Sequence, residues 1–327
     1  MIEYFSCLNL RCFEKREFFF ENNFTLIEGN NGTGKTTVLE GIYLSIRGRS
    51  FLTGKLGNLV QKGKDFLAVK TSVNGNQIKV YYSITDKKKE TVFNGRKESS
   101  SKISLSFPLF VFNGRLLNFI RTDIITLYKF FNIILSLYDK SYLKAYNEYL
   151  KALRQKRSLL TSEAKNDSIN PWNLILSERS KIIRSKRKDF VKKINNLLTE
   201  GNFVSYRENS LREEDISVLE RELKEKKILT GCHRDRFFIL KDNRDMRFFY
   251  SSGQQKNIFF DVLTAIGRVF ADKAGKKPVL LLDDFDSEFD SQNLDFCLKS
   301  VLESFQIILT TTDREKYSAF NYNLISL

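Results

Sequence analysis

Histidine is almost missing from this sequence: His233 is the only one in 327 residues, which argues against a histidine-built zinc site and against a Ser-His-Asp triad. The four cysteines, Cys7, Cys12, Cys232 and Cys297, show no C-x-x-C spacing, so a thiolate metal site is not expected either. Only three prolines occur, which argues against long disordered linkers. Long apolar runs are lacking, and a stretch such as Phe130 to Leu137 is far too short to span a bilayer. The first residues carry Glu3 and no sustained apolar core, so no secretory signal is read there. Scattered cysteines without a signal fit a reducing cytoplasm, and no membrane partner is expected. Acidic residues are also scarce relative to basic ones: 39 Asp and Glu against 54 Lys and Arg leave a net charge of +15, which points to a polyanionic partner such as nucleic acid.

What the chain does contain is a phosphate loop. Gly29-Asn30-Asn31-Gly32-Thr33-Gly34-Lys35-Thr36 fits G-x-x-x-x-G-K-[ST] at every fixed position. The β-prone run Phe24 to Glu28 precedes it, and helical apolar spacing from Val38 to Ile46 follows. Glycine permits backbone conformations that aim successive N–H groups at phosphate oxygens. Lys35 offers a point charge to the β- and γ-phosphates, and the Thr36 hydroxyl can ligate Mg²⁺. The nucleotide-contacting set expected is Gly29, Asn30, Asn31, Gly32, Thr33, Gly34, Lys35, Thr36 and Thr37.

Two strands around a turn are expected between Met1 and Leu26, with Arg11 projecting from Leu8-Asn9-Leu10-Arg11. Residues 47–63 read as loop, and Asn74-Gly75-Asn76 and Asn94-Gly95 mark hairpin turns in an antiparallel sheet. From about Leu116 the pattern becomes helical and basic. Leu143, Tyr146, Leu150, Leu153, Arg157 and Leu160 form one heptad stripe; Leu176, Ile183, Phe190 and Leu197 form another after a polar break at 166–171 that places Pro171 in the next helix's first turn. The two helices are expected to pack as an antiparallel arm. Its basic run, Arg184, Lys186, Arg187, Lys188, Lys192 and Lys193, is the candidate DNA-binding face. Beyond a charged helix-prone stretch from Asp215 to Lys227, strands are expected at 237–240 and 246–250, and Ser251-Ser252-Gly253-Gln254 opens a helix running to about Ala271. The apolar strand Val279 to Leu282 then delivers Asp283 and Asp284, the carboxylates a Mg²⁺-nucleotide site needs opposite its phosphate loop.

Phosphate loop, Ser-x-Gly-Gln, Asp-Asp strand and Ser287-Glu288-Phe289-Asp290 stand in the order of an ABC-type ATPase. More narrowly, the chain resembles the RecF family of the SMC/Rad50-like branch, through Leu8 to Arg11, Gly29 to Glu40, Gly48-Arg49-Ser50-Phe51, the segment Tyr146 to Leu160, Gly231-Cys232-His233-Arg234-Asp235, Ser251 to Gln255, Leu281 to Asp290 and Thr310 to Asp313. The family carries proline where this chain has Cys232, a second acid where it has Arg236, and many ABC ATPases place a switch histidine near Thr311.

The resemblance implies an α/β fold: an ABC-type ATPase head, a mixed sheet with an antiparallel β subdomain, plus an α-helical arm or lobe. Residues 1–112 and 228–327 would form the discontinuous head and 113–227 the helical lobe. It implies that Lys35, Thr36 and Asp283 hold Mg-ATP with Arg11 nearby, that Lys35 and Asp284 are catalytic, and that Thr36 and Asp283 ligate the metal. Ser251, Gly253 and Gln254 would complete the site from a second subunit. The implied function is a DNA-stimulated ATPase of recombinational repair, dimerising with ATP on gapped DNA and acting with RecO and RecR to load RecA. The other readings are a Rad50- or SMC-like or defence-system head serving a nuclease, and a structural DNA-binding module with a vestigial nucleotide site.

Overall fold

A computed structural model describes residues 1–162, 166–211, 215–286 and 291–327, giving only the backbone of 166, 167, 216 and 291–293. The chain divides into two compact units, one of Met1–Asn118 with Ser251–Leu327 and one of Phe119–Tyr250.

The first unit opens with β1 (Ile2–Leu10), β2 (Phe13–Phe19) and β3 (Phe24–Glu28), then α1 (Lys35–Arg47), β4 (Phe66–Val73), β5 (Asn76–Ser83), β6 (Lys88–Phe93), β7 (Arg96–Lys97), α2 (Ser100–Ser106), β8 (Leu109–Asn113) and the start of α3 (Gly114–Thr122). Two sheets result. One is antiparallel in the order β2-β1-β4-β5-β6-β7, with Val73↔Asn76 and Phe93↔Arg96 closing the two hairpins at the expected Asn-Gly turns. After the second unit the chain returns with α9 (Ser252–Ala274), β12 (Val279–Asp283), α10 (Ser291–Leu302), β13 (Gln306–Thr311) and β14 (Asn323–Ser326). These complete a parallel sheet in the order β14-β3-β13-β12-β8. Long crossovers permit parallel pairing, and helices cover both faces, which is why Val279 to Leu282 is apolar at every position. Leu109 and Val111 of β8 join the core around α1, whereas Phe110 and Phe112 turn the other way onto Phe270, Phe259 and Phe260 of α9. α1 is buried all round except at Thr36 and Tyr43, because it packs on both sheets.

The second unit contains α4 (Ile124–Tyr138), α5 (Lys140–Thr161), α6 (Asn166–Asn195), β9 (Asn202–Arg207), α7 (Ile216–Glu225), β10 (Arg236–Lys241), β11 (Arg244–Asp245) and α8 (Met246–Phe249). Ion pairs Glu148–Arg179 and Asp139–Lys186 fix α5 and α6 as an antiparallel pair. Asp139 also caps α5, accepting from Ser141 N at 2.8 Å and Tyr142 N at 3.2 Å.

Four expectations are corrected. Residues 228–250 belong with the helical unit, because β10 pairs along its whole length with β9. Pro171 lies inside α6, which already begins at Asn166, so the expected break at 166–171 is helix. The inner stripe of α5 is Tyr142, Ala145, Tyr149, Ala152, Leu153, Lys156 and Leu160; Arg157 is exposed, and the seam is rotated from the heptad reading because buried Lys156 is neutralised by Glu222. Residues 246–249 form a helical turn rather than a strand, since the Asp245 carboxylate accepts from Arg247 N and caps it.

Candidate nucleotide site

The phosphate loop occupies the turn between β3 and α1. Gly34 has φ +105, and a Cβ there would lie 2.5 Å from Phe13 Cζ and 2.7 Å from Cys12 Sγ, so only glycine fits. Gly34 supplies no side-chain cap, and the first turn of α1 holds no acid. The first amides of a 13-residue helix are therefore left for an anion, with the helix dipole behind them. Lys35 is buried and folds back over the loop, donating from Nζ to the carbonyls of Gly29 at 2.7 Å and Asn30 at 3.0 Å. Thr33 closes the same turn through its hydroxyl on Asn30 O.

Strand order decides what faces this loop. β13 lies between β3 and β12, so the end of β12 reaches α1 across one intervening strand. Thr36 Oγ1 donates to Asp283 Oδ1 at 2.8 Å, and Thr310 Oγ1 of β13 donates to the same oxygen at 3.0 Å. Burial raises the Asp283 carboxyl to about 6; the Thr36 hydrogen bond opposes this and the Asp284 charge reinforces it. An anion held at such a cost gains from a cation, and the donor set is hard oxygen, the chemistry of magnesium. The structure thus brings together Thr36 and Asp283, 247 positions apart. Asp284 is exposed with φ +49, and its N–H donates to Thr310 Oγ1 at 3.0 Å. That left-handed turn swings its side chain out of the strand. Thr311 is fully buried and donates to Asp286 Oδ2 at 3.0 Å, which Lys316 Nζ approaches at 3.2 Å. Ser287, Glu288, Phe289 and Asp290 lie outside the described residues.

Arg11, also at positive φ, makes an ion pair with Glu40 of α1, Nε to Oε2 2.6 Å, rather than an aligned hydrogen bond. Glu40 is fully buried and also accepts from Ser50 Oγ, which in turn takes Leu52 N and Thr53 N at 2.9 Å. One carboxylate of the phosphate-loop helix therefore fixes both Arg11 and the turn after α1. Thr37 faces Cys12, whose Sγ lies 3.9 Å from its hydroxyl.

Ser251 caps α9 in a reciprocal box: its Oγ accepts from Gln254 N, and Gln254 Oε1 accepts from Ser251 N at 3.0 Å. Ser251 and Gln254 are exposed and Gly253 is half-buried, while the helix body from Gln255 onward is packed. No hydrogen bond among the described residues joins these three to the phosphate loop of the same chain. Lys256, which sequence reasoning missed, is buried two residues further on; its Nζ donates to Phe285 O at 2.6 Å and so ties α9 to the turn that carries Asp284. The contact of Thr310 with Asp283 was missed as well, since only the strand order sets the two side by side, and so was that of Asp286 with Thr311.

The basic run on α6 does not form one face. Ser180, Ile183, Arg184, Arg187, Phe190, Val191 and Ile194 are buried, following the 3.6-residue period of the helix. Arg184 and Arg187 are thus withdrawn from the DNA-binding role expected of them. Both pair with Asp235, which has no exposed surface: Arg184 through Nε and Nη2 at 3.2 and 3.1 Å, Arg187 through Nη1 at 3.1 Å. Arg187 also donates to Cys232 O, Tyr128 Oη and Asn132 Oδ1. The His-Arg-Asp segment therefore supplies the counter-ion of the helical unit. Tyr149 Oη lies 2.6 Å from His233 Nδ1. Lys186 pairs with Asp139 and Lys188 with Glu208, each at 2.7 Å; Lys192 and Lys193 stay exposed, the latter against Tyr138.

The sequence matches the family described as RecF/RecN/SMC N terminal domain over residues 1–325. It is 26% identical over 331 residues to the DNA replication and repair protein RecF of Agathobacter rectalis, covering 94% of this chain and 91% of that one. A solved structure of the recombination mediator protein RecF in the RecFOR pathway superposes with a TM-score of 0.84 at 25% identity, over 97% of this chain and 93% of that one. A second, described as RecF-ATP, gives 0.83 at 26% identity, over 95% and 92%.

Proposed function

The chain belongs to the RecF/RecN/SMC N-terminal domain family, and from that premise and the site's geometry we propose that it is a cytoplasmic recombination mediator: an ATPase that dimerises around ATP on gapped DNA and works with RecO and RecR to load RecA. The observation that carries this reading is the asymmetry of the ATP machinery. The phosphate loop, through its Thr36 hydroxyl, meets the Asp283 carboxylate, whereas Ser251 and Gln254 of the cap are exposed and make no hydrogen bond to that loop among the described residues. A cap so placed suits the nucleotide of a second copy, which gives a twofold dimer with two shared sites.

ATP would lie on the amides of 29–36 with Lys35 exchanging its carbonyl partners for phosphate oxygens. Magnesium, bound with the nucleotide, would be held by Thr36 and Asp283 and would neutralise phosphate charge. Asp284, on its outward turn, orients the attacking water. Arg11, fixed by Glu40, is assigned to the nucleotide's surroundings. On this scheme binding closes the dimer and hydrolysis opens it. The DNA contact draws on the net charge of +15 and on Lys192 and Lys193, and it is dominated by phosphates.

Light scattering tests the scheme. ATP should convert monomer to dimer, ADP should not, and Lys35→Ala should abolish the change. Equal dimerisation with ADP, or a variant that still dimerises with ATP, defeats it.

A further inference from the structure

We propose that the outer face of the β9-β10-β11 sheet, with the helical turn α8 beside it, is a binding platform for single-stranded nucleic acid. Alternation along the strands sends Val204, Phe237 and Ile239 inward and leaves Phe238 and Arg207 facing out. On that face arginines and phenylalanines interleave. The Arg207 guanidinium lies 4.7 Å from the Phe238 ring centroid, Arg247 lies 5.8 Å from Phe238 and 5.1 Å from Phe248, and Arg244 lies 5.9 Å from Phe249. Phe248 is 74% exposed and Phe249 61%, so each keeps ring area beyond its arginine contact.

The turn that carries these rings is tied to the unit beneath it. Met246 anchors the turn in the core, the Asp245 carboxylate caps it, and Tyr250 Oη donates to Lys241 O at 2.7 Å. Two aromatic side chains are thereby held in water at a hydrophobic cost that folding alone does not explain. Arg247 is neutralised by Asp245, but Arg207 and Arg244 make no ion pair among the described residues. Flat rings with surplus cations between them match one ligand chemistry: unpaired bases that stack on the rings while phosphates meet the guanidiniums. An apolar protein surface would have to desolvate those cations. A duplex hides its base faces and could use only the arginines.

The inference rests on the DNA-binding reading above and locates its single-stranded part. It is tested on the full chain by fluorescence anisotropy with labelled oligo-dT and with a blunt duplex of equal length. Replacing both Phe248 and Phe249 by Ala should weaken oligo-dT binding roughly tenfold or more and leave duplex binding within about twofold, since stacking is lost and phosphate contacts are kept. Tyr at both positions should restore binding; Leu, which keeps apolar area without a flat face, should not. Unchanged oligo-dT affinity in the Ala variant overturns the proposal and assigns the face to a protein partner. Equal loss on both DNAs also overturns it, because the rings would then be supporting the fold. If the unaltered chain bound duplex but not oligo-dT, this proposal alone would fail; binding to neither would sink the DNA reading with it.

Discussion

Arg187 keeps its charge inside the helical unit, between Asp235 and the hydroxyls of Tyr128, Tyr142 and Tyr206. Arg187→Ala would strip the buried Asp235 of one of its two cations and leave the hydroxyls around it without their donor. We expect a loss of about 3–5 kcal/mol in urea denaturation, against less than about 0.5 kcal/mol for Lys192→Ala on the exposed side of the same helix. His233 makes a second residue-scale case. Burial, then the nearby Arg234 and Arg157 charges, lower it to about 4. The unfolded chain, with an ordinary histidine near 6.5, takes up the proton first, so stability should fall as pH drops from about 6.5 to about 4 and level off below. His233→Gln should flatten thermal unfolding over that window; an unchanged profile would place the titration elsewhere. Asp284 belongs at this scale too. On the proposed scheme Asp284→Asn removes the group assigned to orient water while leaving Asp283 and Thr36 in place, so ATP-driven dimers should form but persist, with turnover reduced by about two orders of magnitude or more. Time-resolved light scattering after ATP addition reads both.

Helix phase is what the element scale adds. Counting lysines and arginines along α6 finds the charge, but only the burial of Ile183, Phe190 and Ile194 shows that Arg184 and Arg187 share their face. The same holds for α5, where Lys156 sits at a core position, 2.5 Å from Glu222, with both side chains almost wholly buried. Glu222 also accepts from Leu229 N and from Thr230. Lys156→Ala should cost about 3–5 kcal/mol by leaving that carboxylate unpaired. Pairing Lys156→Met with Glu222→Gln keeps the backbone contacts without the charge and should recover most of the loss; a double-mutant cycle in urea checks the coupling. By contrast, both antiparallel hairpins and the β3–α1 turn were legible, because Asn-Gly and the glycine loop have few backbone conformations to choose from. Residues 246–249 were misread as strand because a single cap at Asp245 outweighs the β preference of Phe248 and Phe249.

For the whole molecule, the two parts of the first unit meet in space although the 132 residues of Phe119–Tyr250 separate them in sequence. That closure turns two motifs into a site, since β13 must pair with β3 and β12 before Asp283 reaches Thr36. The second unit ends at Tyr250, one residue before the Ser251 cap, so β10, β11 and α8 are the elements that connect the His-Arg-Asp turn to the cap along the chain.

Residue type and spacing were enough for the phosphate loop, the carboxylate pair, the Ser-x-Gly-Gln helix start and the family, because each is a local pattern that carries its own chemistry. Folding was needed to show that Thr310 shares the Asp283 oxygen, that Lys256 ties α9 to the Asp284 turn, that Arg184 and Arg187 face inward, and that Arg207, Phe238, Arg247 and Phe248 interleave. The reason is the same in each case: these contacts join residues far apart in the chain or on different elements, and both strand order and helix phase are settled by which surfaces leave water together.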